Sequence, residues 1–289
     1  MKRSLQSIIP PPPTNFVGDG FKVHHFIPDY YLSMERMNPF IMLDYAAPHY
    51  FPPTEVQKGV GVHPHKGFET VTIAYKGRVA HHDSAGNSGI IGEGDVQWMT
   101  AASGVLHKEY HEKEFSKAGG IFSMVQLWVN LPAADKLSKP KYQEILNSDI
   151  PKIELPNNAG VVEVIAGNYE GTNGAASTFT EVHAFNVKLK AGGKANFSFN
   201  ERNNTGILII AGSITVNEEQ KLATSEFGLF SNDGETFILS CTEDATILIL
   251  SGEPILEPIA AYGPFVMNTK QELMDAFHQF ERGEFGHLE

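Results

Sequence analysis

His63-Pro64-His65 and His107-Lys108-Glu109 are the residues of this chain whose types and spacing can do chemistry. Side chains two apart on a strand project to the same face, so each triplet presents two donor atoms together. Brought face to face, the pairs make a four-ligand site of three imidazoles and one carboxylate. The stretch between them leaves room for several strands and turns, as a β-barrel closing around an ion requires, whereas the ligands of a helical His-Glu-x-x-His site sit one turn apart. A lone histidine is more often an ordinary half-buried side chain with a hydrogen-bond partner, but a His-x-His matched by a His-x-Glu points to a metal. This donor set suits Fe(II), Mn(II), Co(II), Ni(II), Cu(II) or Zn(II), and the absence of sulfur argues against Cu(I) and iron–sulfur clusters. Four protein ligands on an ion that prefers six leave two positions, enough for an oxygen-donor substrate and O2 side by side.

The elements that must position these residues have a period of two. Thr70-Val71-Thr72-Ile73-Ala74-Tyr75, the run from Ile121 to Val129, Gly206-Ile207-Leu208-Ile209-Ile210 and Thr246-Ile247-Leu248-Ile249-Leu250 are rich in β-branched and aromatic residues, with turn signals such as Ala85-Gly86-Asn87 and Asn232-Asp233-Gly234 between such segments. Many short strands predict an all-β barrel or sandwich. One helix is expected, over 269–282: Thr269 caps it, Glu272 completes a capping box, Leu273, Ala276, Phe277 and Phe280 form its apolar stripe, and Gly283 stops it. The two halves read as diverged copies. Matching Gly77 to Gly212 puts Phe197-Ser198-Phe199-Asn200 where the first copy has its histidine pair, and His183 is the second copy's one histidine before the helix. One metal-bearing domain (1–135) and one structural copy (136–289) are expected, with the linker somewhere in Leu131 to Ile153, where prolines interrupt polar sequence.

Composition narrows the function. The 289 residues are 42% hydrophobic and 19% charged, as in a globular protein, and the net charge of −12 argues against direct nucleic-acid binding. Cys241 is the only cysteine and lies in an apolar run, so it reads as a small core residue. Met1-Lys2-Arg3 leads into Pro10 to Pro13 without an apolar stretch of signal-peptide length, and no run long enough to span a bilayer follows, so the expected compartment is a reducing cytoplasm. The proline run reads as a stiff connector or arm.

Several blocks resemble the pirin family of the cupin superfamily: His63-Pro64-His65-Lys66-Gly67-Phe68-Glu69-Thr70-Val71-Thr72, Asp83-Ser84-Ala85-Gly86-Asn87, Gly94-Asp95-Val96-Gln97-Trp98-Met99-Thr100-Ala101, Gly104-Val105-Leu106-His107-Lys108-Glu109, and near the end Tyr262-Gly263-Pro264-Phe265-Val266-Met267-Asn268-Thr269. The resemblance implies a bicupin: two double-stranded β-helix (jelly-roll) barrels in tandem, with one metal in the N-terminal one. The family's ligands fall on His63, His65, His107 and Glu109, with Fe(II) the leading metal and Ni, Co, Mn, Cu or Zn as alternatives. It further implies either a dioxygenase that cleaves a flavonol-like (quercetin-type) or other small enol with O2, Glu109 serving as ligand and base, or a non-enzymatic iron-binding redox sensor and coregulator that acts through protein partners. A monomer is expected. The chain departs from the family at Lys66, where Arg is common, and at Ala102, where Gly is common; after Glu109 the charged stretch Tyr110-His111-Glu112-Lys113-Glu114 implies a reshaped pocket mouth.

Neighbouring residues compete for roles. Glu69 stands where many cupins place their carboxylate ligand and rivals Glu109; if Glu109 is the ligand, Glu69 is expected to orient a ligand imidazole. His111 is expected at the solvated surface, His81 and His82 at a turn and edge strand, and Trp98 and Met99 in the barrel core.

Overall fold

The computed structural model describes all 289 residues, which divide into two compact units, neither of them continuous in sequence. One comprises Pro13–Pro28, Ile41–Asn147 and Ile255–Glu289; the other comprises Met1–Pro12, Asp29–Phe40 and Ser148–Pro254. A single cut between residues 135 and 136 does not describe this division, because both ends of the chain find their partners far away in sequence. The N-terminal strand Leu5–Ile9 (β1) pairs antiparallel with Phe227–Phe230, and Leu5 enters the core of that unit. The C-terminal tail packs Phe265, Leu273, Ala276 and Phe285 together with Leu106. No helix is long and apolar enough to cross a membrane.

The strands that build the histidine-bearing unit are β2 (Thr14–Val17), β3 (Phe21–Ile27), β4 (Phe40–Phe51), β5 (Gly59–His65), β6 (Phe68–Lys76), β7 (Val79–Asp83), β8 (Ser88–Ile91), β9 (Val96–Thr100), β10 (Val105–His111), β11 (Gly120–Asn130) and β12 (Lys141–Ile145). They form a seven-stranded sheet ordered β12-β9-β6-β11-β4-β3-β2 and a four-stranded sheet ordered β5-β10-β7-β8. Phe21, Val23, Ala74, Val79, Ile91, Phe122 and Met124, drawn from both sheets, close one end of the space between them.

The other unit repeats this plan. Its seven-stranded sheet runs Leu5–Ile9, Phe227–Phe230, Asn204–Ala211, Ala245–Gly252, Val182–Leu189, Gly160–Ala166, Lys152–Glu154, and its four-stranded sheet runs Lys194–Ser198, Thr236–Ser240, Ser213–Val216, Gln220–Ala223. Strand for strand the order matches, so the duplication read from sequence is present in the fold. Gly77 and Gly212 occupy equivalent hairpins with φ of 81° and 75°. That left-handed conformation is one glycine adopts at little cost, and a Cβ at Gly212 would come 2.3 Å from the Asp244 carbonyl oxygen. The interior of this second barrel is filled with Phe197, Phe199, Phe230, Phe237, Leu239, Ile247 and Ile249. At the strand that matches β5 the inward residue is Phe197, while Ser198 and Asn200 are exposed. Cys241 is buried in the same core.

The helix forms at Lys270–Glu281 with Thr269 as N-cap and the full capping box to Glu272; Leu273 and Ala276 are buried. Gly283 follows at φ 74°, ending it as expected.

Candidate metal centre

In the four-stranded sheet β10 lies between β5 and β7. His107 stands opposite His63 on one side and Asp83 on the other, and Glu109 stands opposite His81. Strand alternation therefore sends His63, His65, His81, Asp83, His107 and Glu109 to one face, the inner one. A bulge between His107 and Glu109 shifts the pairing so that Glu109 faces Val60 on β5. From the opposite sheet Thr72 on β6, Gln97 on β9 and Gln126 on β11 reach the same space, since all three bond to the Glu109 carboxylate.

The three predicted histidines converge. Ring centroids lie 4.2 Å apart for His63 and His107, 4.7 Å for His65 and His107, and 4.8 Å for His63 and His65. One donor atom from each falls within 4.8 Å of the others; Glu109 joins a second such group with His81 and His107, so His107 is common to both. The hydrogen bonds decide which nitrogen each ring offers. His63 Nδ1 lies 2.8 Å from the Gly61 carbonyl, His65 Nδ1 3.4 Å from the Pro264 carbonyl, and His107 Nδ1 3.5 Å from His81 Nδ1. All three Nδ1 atoms are thus engaged, which leaves Nε2, and the His107 Nε2 is buried without a hydrogen-bond partner. An unpaired buried nitrogen costs about 1–3 kcal/mol, and a metal ion would satisfy it in the way ligating histidines generally do, with the second nitrogen held by a neighbour. Burial, reinforced by mutual repulsion among the rings, holds His65 and His107 well below the usual imidazole range, so both present neutral lone pairs.

Glu109 is fixed by three donors. Its Oε1 accepts from Thr72 Oγ1 at 3.0 Å and Gln97 Nε2 at 3.2 Å, and its Oε2 accepts from Gln126 Nε2 at 2.6 Å. Phe68 and Trp128 stack at 4.2 Å and wall the space beside His65, whose ring centroid is 5.2 Å from that of Trp128. His63, Gln126 and Trp128 are half-buried, which marks the open side. The residues present fit a mononuclear site of nitrogen and carboxylate donors for a divalent transition metal.

Glu69 is neither ligand nor ligand-orienting. It pairs with Thr100 in register and accepts a 2.6 Å hydrogen bond from Thr100 Oγ1. Its parity on β6 is opposite to that of Thr72, so it points away from the histidines. Burial pushes its carboxyl up to about 7, against the opposing effect of the Thr100 hydroxyl. His111, expected in solvent, is 1% exposed; its Nε2 lies 2.8 Å from the Gly20 carbonyl and its ring packs against Phe21, Phe51, Phe115 and Phe122. The charged residues after it start a short helix, Lys113–Ala118, which Glu112 caps. Ala102 takes φ 37°, a backbone conformation that favours the glycine common at this position in the resembling family. Trp98 and Met99 are buried as expected.

His81, expected at a turn and edge strand, instead lies on an inner strand of its sheet beside the candidate ligands. It is fully buried on β7, with Nδ1 3.1 Å from Gln97 Nε2 and Nε2 3.4 Å from Asp83 Oδ2, and its ring stacks on Tyr142 at 5.1 Å. The signal was available: His81-His82-Asp83 repeats the two-apart pattern that singled out the other pairs.

Comparison with known proteins agrees with this fold. The Pirin family profile matches residues 20–129, and that of the pirin C-terminal cupin domain matches residues 184–286. A Pseudomonas aeruginosa protein named "Putative quercetin 2,3-dioxygenase" is 45% identical over 94% of this chain and 94% of its own length. The crystal structure of a quercetin 2,3-dioxygenase from Acinetobacter baumannii superposes with a TM-score of 0.94 at 45% identity, covering 100% of both chains. A bacterial pirin from Escherichia coli, solved in complex with nickel(II), shares the fold at a TM-score of 0.65 and 18% identity, over 86% of this chain and 100% of its own.

Proposed function

This chain belongs to the pirin family, and from that footing we propose that it is a metal-dependent dioxygenase that opens a flavonol-like or related small enol with O2. The observation that carries the reading is the set of three imidazoles with Nδ1 engaged and Nε2 left over, beside a carboxylate held by three donors. His63, His65, His107 and Glu109 are the proposed ligands, with iron(II) the leading metal and nickel(II), the ion carried by the Escherichia coli pirin, next in line. Bound there, such a metal supplies Lewis acidity toward a substrate oxygen and a redox-active partner for O2.

The chain's own residues do the rest. Phe68 and Trp128 give a planar aromatic substrate an apolar wall. Glu109 takes the enol proton; Thr72, Gln97 and Gln126 fix where its oxygens lie, so the proton is received at a set position. The half-buried Gln126 and Trp128 admit the substrate on the open side.

The test is incubation of the iron(II)-loaded and nickel(II)-loaded protein with quercetin and a panel of related enols under air. Loss of the flavonol absorbance with release of CO supports the reading, and Glu109→Gln should suppress it at least tenfold. No oxygen uptake with any enol, from protein carrying a full metal complement, would overturn the enzymatic reading.

A further inference from the structure

We propose that Asp83 and His81 form a buried relay that sets the tautomer of His107 and so keeps its Nε2 lone pair aimed at the metal. The inference rests on the ligand assignment above and extends it to residues that touch no ion. Proton accounting along the hydrogen bonds leads to it. Gln97 Nε2 carries two hydrogens and has two neighbours in reach, Glu109 Oε1 at 3.2 Å and His81 Nδ1 at 3.1 Å. It can only donate, so His81 Nδ1 must be the acceptor.

A neutral His81 that accepts at Nδ1 carries its hydrogen on Nε2, and that atom faces Asp83 Oδ2 at 3.4 Å, a buried carboxylate able to receive it. Asp83 is itself immobilised: the backbone N–H groups of Ala85 and Asn87 and the Asn87 side-chain amide all donate to it. On the other side, His107 Nδ1 lies 3.5 Å from the same accepting His81 Nδ1. With no hydrogen on His81 Nδ1, that contact is favourable only if His107 holds its hydrogen on Nδ1, sharing the single His81 lone pair with Gln97 as the longer and weaker of two donors, and His107 Nε2 is left without a protein partner. The chain of atoms reads carboxylate, His81, His107, metal, one step longer than the carboxylate–histidine–metal arrangement common in metalloproteins.

Gln97 adds a second consequence. Because its amide also holds Glu109, one side chain is bonded directly to Glu109 and, through His81, is linked to His107, the other proposed ligand on β10. His81 and Asp83 act here as positioning residues.

Cobalt(II) titration of the metal-free protein tests this, reading the dissociation constant by chelator competition and the coordination geometry by the visible absorption spectrum. His81→Phe keeps the ring stacked on Tyr142 but offers no acceptor, and should weaken cobalt binding about 10- to 100-fold with a changed spectrum. His81→Gln restores an acceptor oxygen toward Gln97 and His107 and a donor toward Asp83, and should bind within a few-fold of the wild type. Asp83→Asn would donate to His81 Nε2, move the His81 hydrogen to Nδ1 against two facing N–H groups, and weaken binding like His81→Phe; its Oδ1 can still accept from the Ala85 and Asn87 backbone and from the Asn87 amide at 3.1 Å, and only the 2.9 Å Asn87 amide bond to Oδ2 is lost. Circular dichroism identifies any variant that fails to fold, and the Asp83→Asn and His81→Gln pair suffices without His81→Phe. Wild-type affinity and spectrum in both His81→Phe and Asp83→Asn, with binding lost in His107→Ala, would overturn the relay and leave the metal assignment standing. Binding retained in His107→Ala would overturn both.

Discussion

Replacing Glu69 by Gln separates the two carboxylates that compete for the site and has a magnitude that follows from the structure. Glu69 is 1% exposed, and burial raises its carboxyl from 4.5 to about 7. In the unfolded chain the proton leaves near the lower value; in the native state it stays until the higher one. The native protein thus binds more protons across that window, and stability falls as pH rises through it. The rise from 4.5 to about 7 corresponds to about 3 kcal/mol at pH values above the window. Glutamine keeps the acceptor for the Thr100 hydroxyl at 2.6 Å and carries no charge. For metal-free protein, urea unfolding should give Glu69→Gln and wild type nearly equal stability at about pH 4.5, and the variant an advantage of about 3 kcal/mol at about pH 8. Metal content of the variant should equal that of the wild type. A stability difference that does not change with pH would refute the buried-acid argument, and a loss of metal would put Glu69 back at the centre.

Three further outcomes are expected. Burial holds His111 down at about 4, so the native state excludes a proton that the unfolded chain accepts at 6.5, and stability is lost as pH falls through that window; His111→Phe, which suits the surrounding phenylalanines, should make the acid limb of a stability–pH curve shallower by about 3 kcal/mol. Gln126→Leu removes the 2.6 Å donor to Glu109 Oε2 and should weaken metal binding about tenfold or more, read by chelator competition. Ile249→Ala in the second barrel should cost roughly 2–5 kcal/mol in unfolding experiments while leaving metal content unchanged, since that core holds no donor cluster.

The convergence of the candidate pairs was legible because a strand puts residues two apart on one face, and sequence shows that spacing directly. The same rule applied to His81 and Asp83, but Ala85-Gly86-Asn87 drew the reading to the turn, which is real: Asp83 accepts both its turn bonds and faces inward. His111 was misplaced by the charged residues after it, whose solvation belongs to the helix that Glu112 caps and not to the last residue of β10. The duplication showed through its hairpin glycines, Gly77 and Gly212, because a positive φ restricts the residue type. The division into units did not show, because the pairing of Leu5 with Phe230 is a long-range choice that no local pattern encodes. Partners of Glu109 such as Thr72, Gln97 and Gln126 were hidden for the same reason: each sits on a different strand of the opposite sheet.

The most direct test of the central claim is a crystal of the iron(II)-loaded or nickel(II)-loaded protein, with diffraction recorded on both sides of the metal absorption edge. The account predicts one anomalous peak per chain, within bonding distance of Nε2 of His63, His65 and His107 and of a Glu109 carboxylate oxygen. A second peak in the other barrel, or a peak bonded to His81, His107 and Glu109 without His63 and His65, would contradict it.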